Sequence, residues 1–496
     1  MARDTASAAP WWSRLSLFSG SSKYDHLRNS GKREAITKNL RSEDWDVRDH
    51  ERQLMSSSAS KVIANYSVAA WAVRKHLDYT TSFDFSATTR DDAFNTDLEG
   101  FMRRWSKRTK CDAARKHPLR RLIRIAEQCR CTGGDVFLLK VGGNGPLRGS
   151  LQIIESERVK NPTGIGANGV VVSRRDIPQG LNAEGWNNGV RLSPRGVASE
   201  IAIHGRTGAI GQLEFEKTVN AKNVLHHGFF HRADQVRGIS PIMCALSTFQ
   251  DIYETMDYAI SGVKAAQLVG IFIKRAWGQG SMNDMRIQNN PTAEVTDEQR
   301  ANYYRRVKFG NKPMMLQGLP GDEAQFIDAK KPAVETTQFL DMLTHVAIKC
   351  FDIPKSFWDE TVSNYSSARF AKIEFNKSIE EKRQDVADLL DDITRWRLGM
   401  AVADGEVRLP AGMAFDDVRW QWRQRGTPYV DPLKEVNGKI LEIANGLNNP
   451  YRACAHNGTD FEDNVRAISR AKAFAETNGV TLSEAMITPD AEDSDG

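Results

Sequence analysis

After Ser240-Pro241, large apolar residues recur at Ile242, Leu246, Phe249, Tyr253, Met256, Ile260 and Val263 in a strict four-three alternation. That spacing keeps one apolar seam along a helix. Ser can cap free amides, and Pro at the first helical position gives up no needed hydrogen bond, so the helix is predicted to start at Pro241 and run to Leu268. At 1.5 Å per residue it is roughly 40 Å long. Such a seam is read as packing against another helix. Asp251, Glu254 and Asp257 lie off it, either as a plain solvated face or as a charged wall with work to do.

The segments before this helix are of mixed type. Val62, Tyr66, Ala69 and Val73 carry helical spacing within a helical stretch predicted over 45–77, and a basic helix is predicted over Arg115 to Cys129. Thr132-Gly133-Gly134 ends it before the apolar run Val136 to Leu139, which reads as a strand. From 141 to 228, short β-type runs such as Leu151 to Glu155, Val197 to His204 and Leu213 to Lys217 alternate with turns.

After the long helix, residues 269–331 read as a small insertion with a basic, aromatic surface: Tyr303, Tyr304, Arg305, Arg306, Lys308 and Lys312. A helix over 332–351 stops at Asp352-Ile353-Pro354, because proline disfavours helix continuation. Another long helix, over about 364–397, carries Phe375, Ile379, Val386, Leu390 and Ile393 on one side. A Trp-rich β-type run at 418–422, two helices and an acidic tail follow. Residues 1–44 read as a mobile arm. With 496 residues, several lobes of α+β class are expected.

Charge and composition exclude several functions. The net charge of +5 is too small for a wholesale nucleic-acid coat. Locally, Phe101 to Lys160 holds fifteen Lys/Arg against five Asp/Glu, a segment that either faces an anion or is simply solvated. The longest apolar stretch, Ala265 to Ile273, falls far short of the roughly 20 residues that span a bilayer. The six cysteines are scattered without paired CxxC units, which predicts free thiols. Cys129 and Cys131 alone are weak metal evidence. His226, His227 and His231 are read as structural, with no metal and no cofactor expected. No GxxxxGK[ST] phosphate loop and no GxSxG elbow occurs, so no enzyme is expected and any motor must be a partner.

Six short runs, taken in order, resemble the lambda-type portal family of tailed phages. They are the early helix with Asn65 and Ala69-Ala70; Cys111-Asp112, the basic helix and Gly133-Gly134-Asp135-Val136-Phe137; and Leu151 to Glu155 with Arg158-Val159. Arg237-Gly238-Ile239-Ser240-Pro241, Asn364-Tyr365-Ser366-Ser367-Ala368-Arg369 and Val430-Asp431-Pro432-Leu433-Lys434-Glu435 complete the set. The resemblance spans about 24–478. It departs at Thr81-Ser82-Phe83-Asp84-Phe85, where a glycine-containing turn is usual in the family.

The resemblance implies a portal fold of wing (45–236 with 400–425), stem helices (237–268 and 332–351), clip (269–331), tunnel loop (352–365), a long helix behind that loop (366–399), crown (430–480) and acidic tail (481–496). It implies a ring, commonly of twelve copies, at one capsid vertex of the virion, assembled in the host cytoplasm. Double-stranded DNA would be packaged and ejected through its channel. The implied partners are the terminase large subunit, major capsid and scaffold proteins and head-completion or adaptor proteins, with no membrane. In that frame Lys355, Arg369 and Lys372 are candidate phosphate contacts, Phe357 and Trp358 candidate wedges or core residues, and the clip cations a partner surface. The rival readings are a head-tail adaptor without a DNA channel and a DNA-processing enzyme.

Overall fold

The computed structural model describes residues 43–47, 49–162, 185–207, 212–273, 314–317, 334–359, 365–426 and 432–480. Most of the segments expected as clip (269–331) and tunnel loop tip, and both tails, lie outside the described residues, as do Tyr303, Tyr304, Arg305, Arg306, Lys308 and Lys312. The chain is α+β. It opens with α1 (Glu43–Asp46), α2 (Asp49–Asn65), α3 (Ser67–Thr80), β1 (Phe83–Ala87), α4 (Asp92–Trp105), α5 (Arg108–Cys111) and α6 (Leu119–Gly133).

Strands follow: β2 (Asp135–Lys140), β3 (Leu151–Glu155), β4 (Trp186–Asn187), β5 (Val190–Leu192), β6 (Ala198–Thr207), β7 (Gln212–Asn220) and β8 (Val224–Gly228). They form two antiparallel sheets, ordered β3-β2-β8 and β4-β5-β6-β7. Then come α7 (Leu246–Leu268), β9 (Val269–Ile273), β10 (Met314–Gln317), α8 (Val334–Ile348), α9 (Tyr365–Ala403), β11 (Trp420–Gln424), α10 (Pro432–Ala444), α11 (Pro450–His456) and α12 (Phe461–Thr477). β10 pairs parallel to β9, and β11 pairs antiparallel to β1.

Several elements differ from the sequence reading, among them α6, which starts at Leu119 after Pro118 instead of at Arg115 and runs to Gly133. The helix expected over 45–77 breaks at Tyr66, whose backbone is extended. Its ring stacks on Tyr253 at 4.1 Å, and the Ser67 hydroxyl lies 2.7 Å from the Tyr253 hydroxyl, so a tertiary contact replaces one helical turn. Pro241–Ala245 is a tight 3-10 turn, and the α-helix begins only at Leu246. Ser240 caps that turn as expected, accepting from the Ile242 amide while its hydroxyl donates to the Cys131 carbonyl. Near the C-terminus the described residues hold three helices, α10 to α12, not two.

Three apolar cores share several elements, among them α9 and β2. One core joins Phe94, Leu98, Met102, Leu122, Val136 and Leu138 with Val386, Leu390 and Ile393 of α9. A second gathers Ala69, Val73, Ile242, Phe249, Ile252 and Phe351 with Phe375 and Ile379 of α9. The third lies between the sheets around Phe137, Ile154, Ile201 and Ile203. Alternation along β2 sends Val136 and Leu138 to one core and Phe137 to another. The expected single apolar side of α9 therefore serves two cores, its first turns one and its later turns the other. Each fully buried side chain of this size contributes roughly 1.5–3 kcal/mol.

At the junction of these cores two backbone segments touch. A Cβ on Gly134, which has φ +90°, would lie 2.4 Å from the Gly238 carbonyl oxygen, and one on Gly238 would lie 2.3 Å from the Gly134 oxygen. Only glycine permits both the conformation and the approach. Gly134→Ala or Gly238→Ala is expected to cost about 2–4 kcal/mol in urea unfolding of the purified chain. A change too small to resolve would mean that the two segments part freely.

Candidate functional site

The glycine contact sits beside a buried ion pair. The Arg237 guanidinium, 0 % exposed, donates from Nε to Asp135 Oδ2 at 2.7 Å and from Nη2 to Asp135 Oδ1 at 3.0 Å. Its remaining donors reach the carbonyls of Val159 at 2.7 Å, Ser156 at 2.9 Å and Asn188. Asp135 also accepts from the Gly238 amide at 3.0 Å and the Ser156 hydroxyl at 2.6 Å. Every polar group of the pair is thus engaged, the condition under which a buried charge is tolerated. Burial alone would raise the Asp135 carboxyl, but Arg237 and the hydrogen bonds from His226 and Arg237 outweigh it and hold it well below the usual carboxylate range.

A second buried hub lies on α6. Glu127 takes His76 Nε2 at 2.7 Å on one oxygen and His227 Nε2 at 2.9 Å on the other, with Arg130 Nη1 at 3.4 Å. Arg130 reaches across to Asp385 of α9 and lies 3.7 Å over the Phe229 ring. Burial would raise Glu127, yet Arg130 and the two histidines keep it well below its ordinary value. Burial, aided by the charge of Arg130, lowers the His227 imidazole and favours its neutral form. These contacts tie α3, α6, β8 and α9 together at the base of α7.

The histidines at 226, 227 and 231 do not converge. His226 and His227 follow each other on β8 and so point to opposite faces, one to Asp135 and the other to Glu127, while His231 is exposed. Among the described residues His76, Glu127 and Cys131 place donor atoms within 4.8 Å of one another. Both Glu127 oxygens are already taken, and burial pushes the Cys131 thiol well up so that it keeps its proton, so the cluster reads as a hydrogen-bond hub.

The residues singled out along the long helices fall into two groups. Within one copy the near half of the α7 seam is covered: Ile242 and Phe249 are fully buried, and Leu246 and Tyr253 pack against the same core. Ile252, outside the seam, is buried beside them. Val263 is half-buried, whereas Met256 and Ile260 are exposed, together with Tyr258, because the core ends below them. Asp251, Glu254 and Asp257 are exposed, with Glu254 accepting from Gln250. α8 packs on α7 and also leaves Phe339, Met342 and Val346 exposed.

Near the expected constriction, Lys355 Nζ pairs with Asp341 of α8. Phe357 packs on Phe375 at 5.0 Å and Tyr79 at 5.9 Å, as a core residue. Trp358 stands edge-on to Trp71 at 5.6 Å and is 41 % exposed. Arg369 is exposed near the start of α9, and Lys372 is half-buried. Residues 360–364 lie outside the described residues.

Sequence reasoning quoted Asp135 and Arg237 within motifs but not as partners, and it missed Glu127, Arg130, His76 and Asp385. The available signal was a charge set against apolar neighbours, as in Asp135-Val136-Phe137, which identifies a buried charge without naming what neutralises it.

Comparison with known proteins adds the following. The family model described as phage portal protein, lambda family, matches residues 30–383. The neck of a native gene transfer agent particle, computed with C12 symmetry, is 13% identical, with 80% of this chain and 91% of that chain covered and a TM-score of 0.42. The virion of the native gene transfer agent particle gives 14% identity, 79% and 89% coverage and a TM-score of 0.41. An HK97 family phage portal protein from Corynebacterium diphtheriae gives 11% identity, 62% and 80% coverage and a TM-score of 0.29. No curated protein matches.

Replacing Arg237 by Met strips Asp135 of its cation and the Val159, Asn188 and Ser156 carbonyls of its guanidinium donors, so a loss on the order of 3–5 kcal/mol is expected. Adding Asp135→Leu does not restore it, because the guanidinium bonds to those carbonyls are still missing. The pH dependence has a definite sign. Asp135 and Glu127 are depressed in the fold, so their stabilisation is full above the ordinary carboxylate range and is lost as pH falls from that range toward their lowered values. Lowered His227 adds a loss in the same direction below its ordinary value near 6.5. Urea midpoints should therefore fall as pH drops from 7 to 3, first through His227 below about 6.5 and then through the two carboxylates.

Proposed function

Since this chain belongs to the lambda family of phage portal proteins, we propose that it is the subunit of a ring, commonly of twelve copies in the family, through which double-stranded DNA enters and leaves the capsid. The observation that carries ring closure is the bare apolar outer part of the α7–α8 pair, where Met256, Tyr258, Ile260, Phe339, Met342 and Val346 are all exposed in one copy. Apolar groups gathered along one pair of helices mark a surface that another protein covers. A neighbouring copy offering a different face supplies that cover, and a heterologous contact repeated around an axis closes a ring.

A conduit must not grip its cargo. Each phosphate neutralised by Lys or Arg releases counterions and adds sequence-independent affinity. Asp251, Glu254 and Asp257 form an exposed acidic face on α7, suited to a wall that repels a duplex. Lys355, held by Asp341, and Arg369 are then transient phosphate contacts, with Lys372 behind them. The segments keep the roles given by the resemblance: wing, stem, clip, tunnel loop and crown. In this reading the ring is non-enzymatic. The terminase large subunit supplies the work, the clip meets it and later the head-completion proteins, and the wing meets capsid and scaffold proteins.

Two experiments test this. Met256→Asp combined with Ile260→Asp should leave the thermal unfolding of the single chain unchanged while removing annular particles from negative-stain images; parent protein that forms no rings, even with its shell and motor partners, overturns the proposal. Changing Asp251, Glu254 and Asp257 together to Lys should lower the DNA packaged per particle severalfold. Normal packaging by that variant removes the repulsive-wall idea.

A further inference from the structure

A strongly basic surface lies over the first core. The end of α4, the short α5, the loop after it and the start of α6 carry Arg103, Arg104, Lys107, Arg108, Lys110, Arg115, Lys116, Arg120 and Arg121, all exposed. None of these side chains makes an ion pair or hydrogen bond among the described residues. The elements are held side by side: the Leu119 amide donates to the Ser106 carbonyl at 3.0 Å, and Arg103 and Arg120 line one shared cleft.

Most nearby carboxylates are committed elsewhere, while Asp97 of α4 is exposed. Asp112 is buried, and its oxygens accept from the amides of Ala114 at 2.9 Å, Lys116 at 2.8 Å and His117 at 2.9 Å, folding the loop that displays Arg115 and Lys116. Asp84 pairs with Arg425, Glu99 accepts from the Ala87 amide, and Asp92 at the far end of α4 pairs with Arg466. The first turn of α6 has no acidic residue and instead carries Arg120 and Arg121, against the positive end of the helix dipole. Like charges gathered without counter-ions, two of them at the unfavourable end of a helix, destabilise the free chain and are relieved by a bound polyanion.

The chemistry of the surface selects the polyanion. A docking surface for a protein has a buried apolar centre ringed by polar groups. Between Phe101 and Arg124 no large apolar side chain is exposed. Six of the nine cations are arginines, whose planar fork matches phosphate oxygens in pairs. We infer that the α4–α5–α6 corner is a second nucleic-acid site, which binds the phosphate backbone of a duplex without regard to sequence. It is built on a different core from α7 and α8. It stands on its own observations and needs no ring, so its failure would leave the portal reading untouched.

The test is fluorescence anisotropy of a labelled random-sequence 30-base-pair duplex titrated with the full chain at several salt concentrations. With Arg104, Arg108, Arg120 and Arg121 all changed to Gln, affinity at low salt should fall at least tenfold. The slope of log affinity against log salt should shrink by about 3–4, at roughly 0.9 per lost phosphate contact. The same loss of charge elsewhere, with Lys61, Arg74, Lys222 and Lys377 changed to Gln, should leave both nearly unchanged. A second set, Lys107, Lys110 and Lys116 changed to Gln, should reduce the slope by about 2–3 and serves if the first set does not fold. Equal losses in the corner and control sets, or no loss in the corner sets, overturn the site. So does tighter binding of polyglutamate than of duplex, which would assign the corner to an acidic protein.

Discussion

The pairing of Arg237 with Asp135 is the constraint on which the rest of the fold depends. A buried guanidinium is tolerable only when all its donors are used, and here they collect the β4–β5 turn, the turn after β3 and the start of β2 onto the segment that launches the long helix. Gly134 and Gly238 let the two backbones touch beside it. The start of α7 is thereby fixed by a charged knot at its base, while Leu246, Phe249 and Tyr253 pack its near half onto the second core.

Two of the shared elements, α9 and β2, extend that control. α9 runs from the second core to the first, and Arg130 holds it to α6 through Asp385. β2 separates the first core from the third by simple alternation of its side chains. A shift at the α6–β2 corner is therefore felt by all three cores, since close-packed interiors transmit strain. Buried charges in this molecule position rods, while exposed charges on α7 and on the α4–α6 corner are left to meet something outside the chain. Opposite signs at those two places suit opposite dealings with a polyanion.

Much of this was legible in the residues. The positions of α8, α9 and β2, the cap at Ser240 and the mixed α/β texture of the first half follow from periodicity, proline and glycine. The break at Tyr66 was not legible, because it depends on a ring nearly two hundred residues away. The 3-10 start of α7 was hidden for a similar reason, with Ser240 answering to Cys131 as well as to its own turn. The candidate site was only half visible: Asp251, Glu254 and Asp257 could be read as exposed, whereas the covering of Phe249 and the baring of Met256 could not.

By itself the sequence determined the type and rough position of β2, α7, α8 and α9, that no P-loop is present and, through six ordered motifs, the family to which the chain belongs. These are local properties, governed by turn chemistry, helical spacing and side-chain type over a few residues. Only the tertiary structure decided which charge neutralises which, how far the seam of α7 is covered within one copy, and that nine cations between Arg103 and Arg121 share one corner without counter-ions. Burial and ion pairing depend on what the folded chain brings within a few ångströms, and spacing along the sequence carries no information about distance across it.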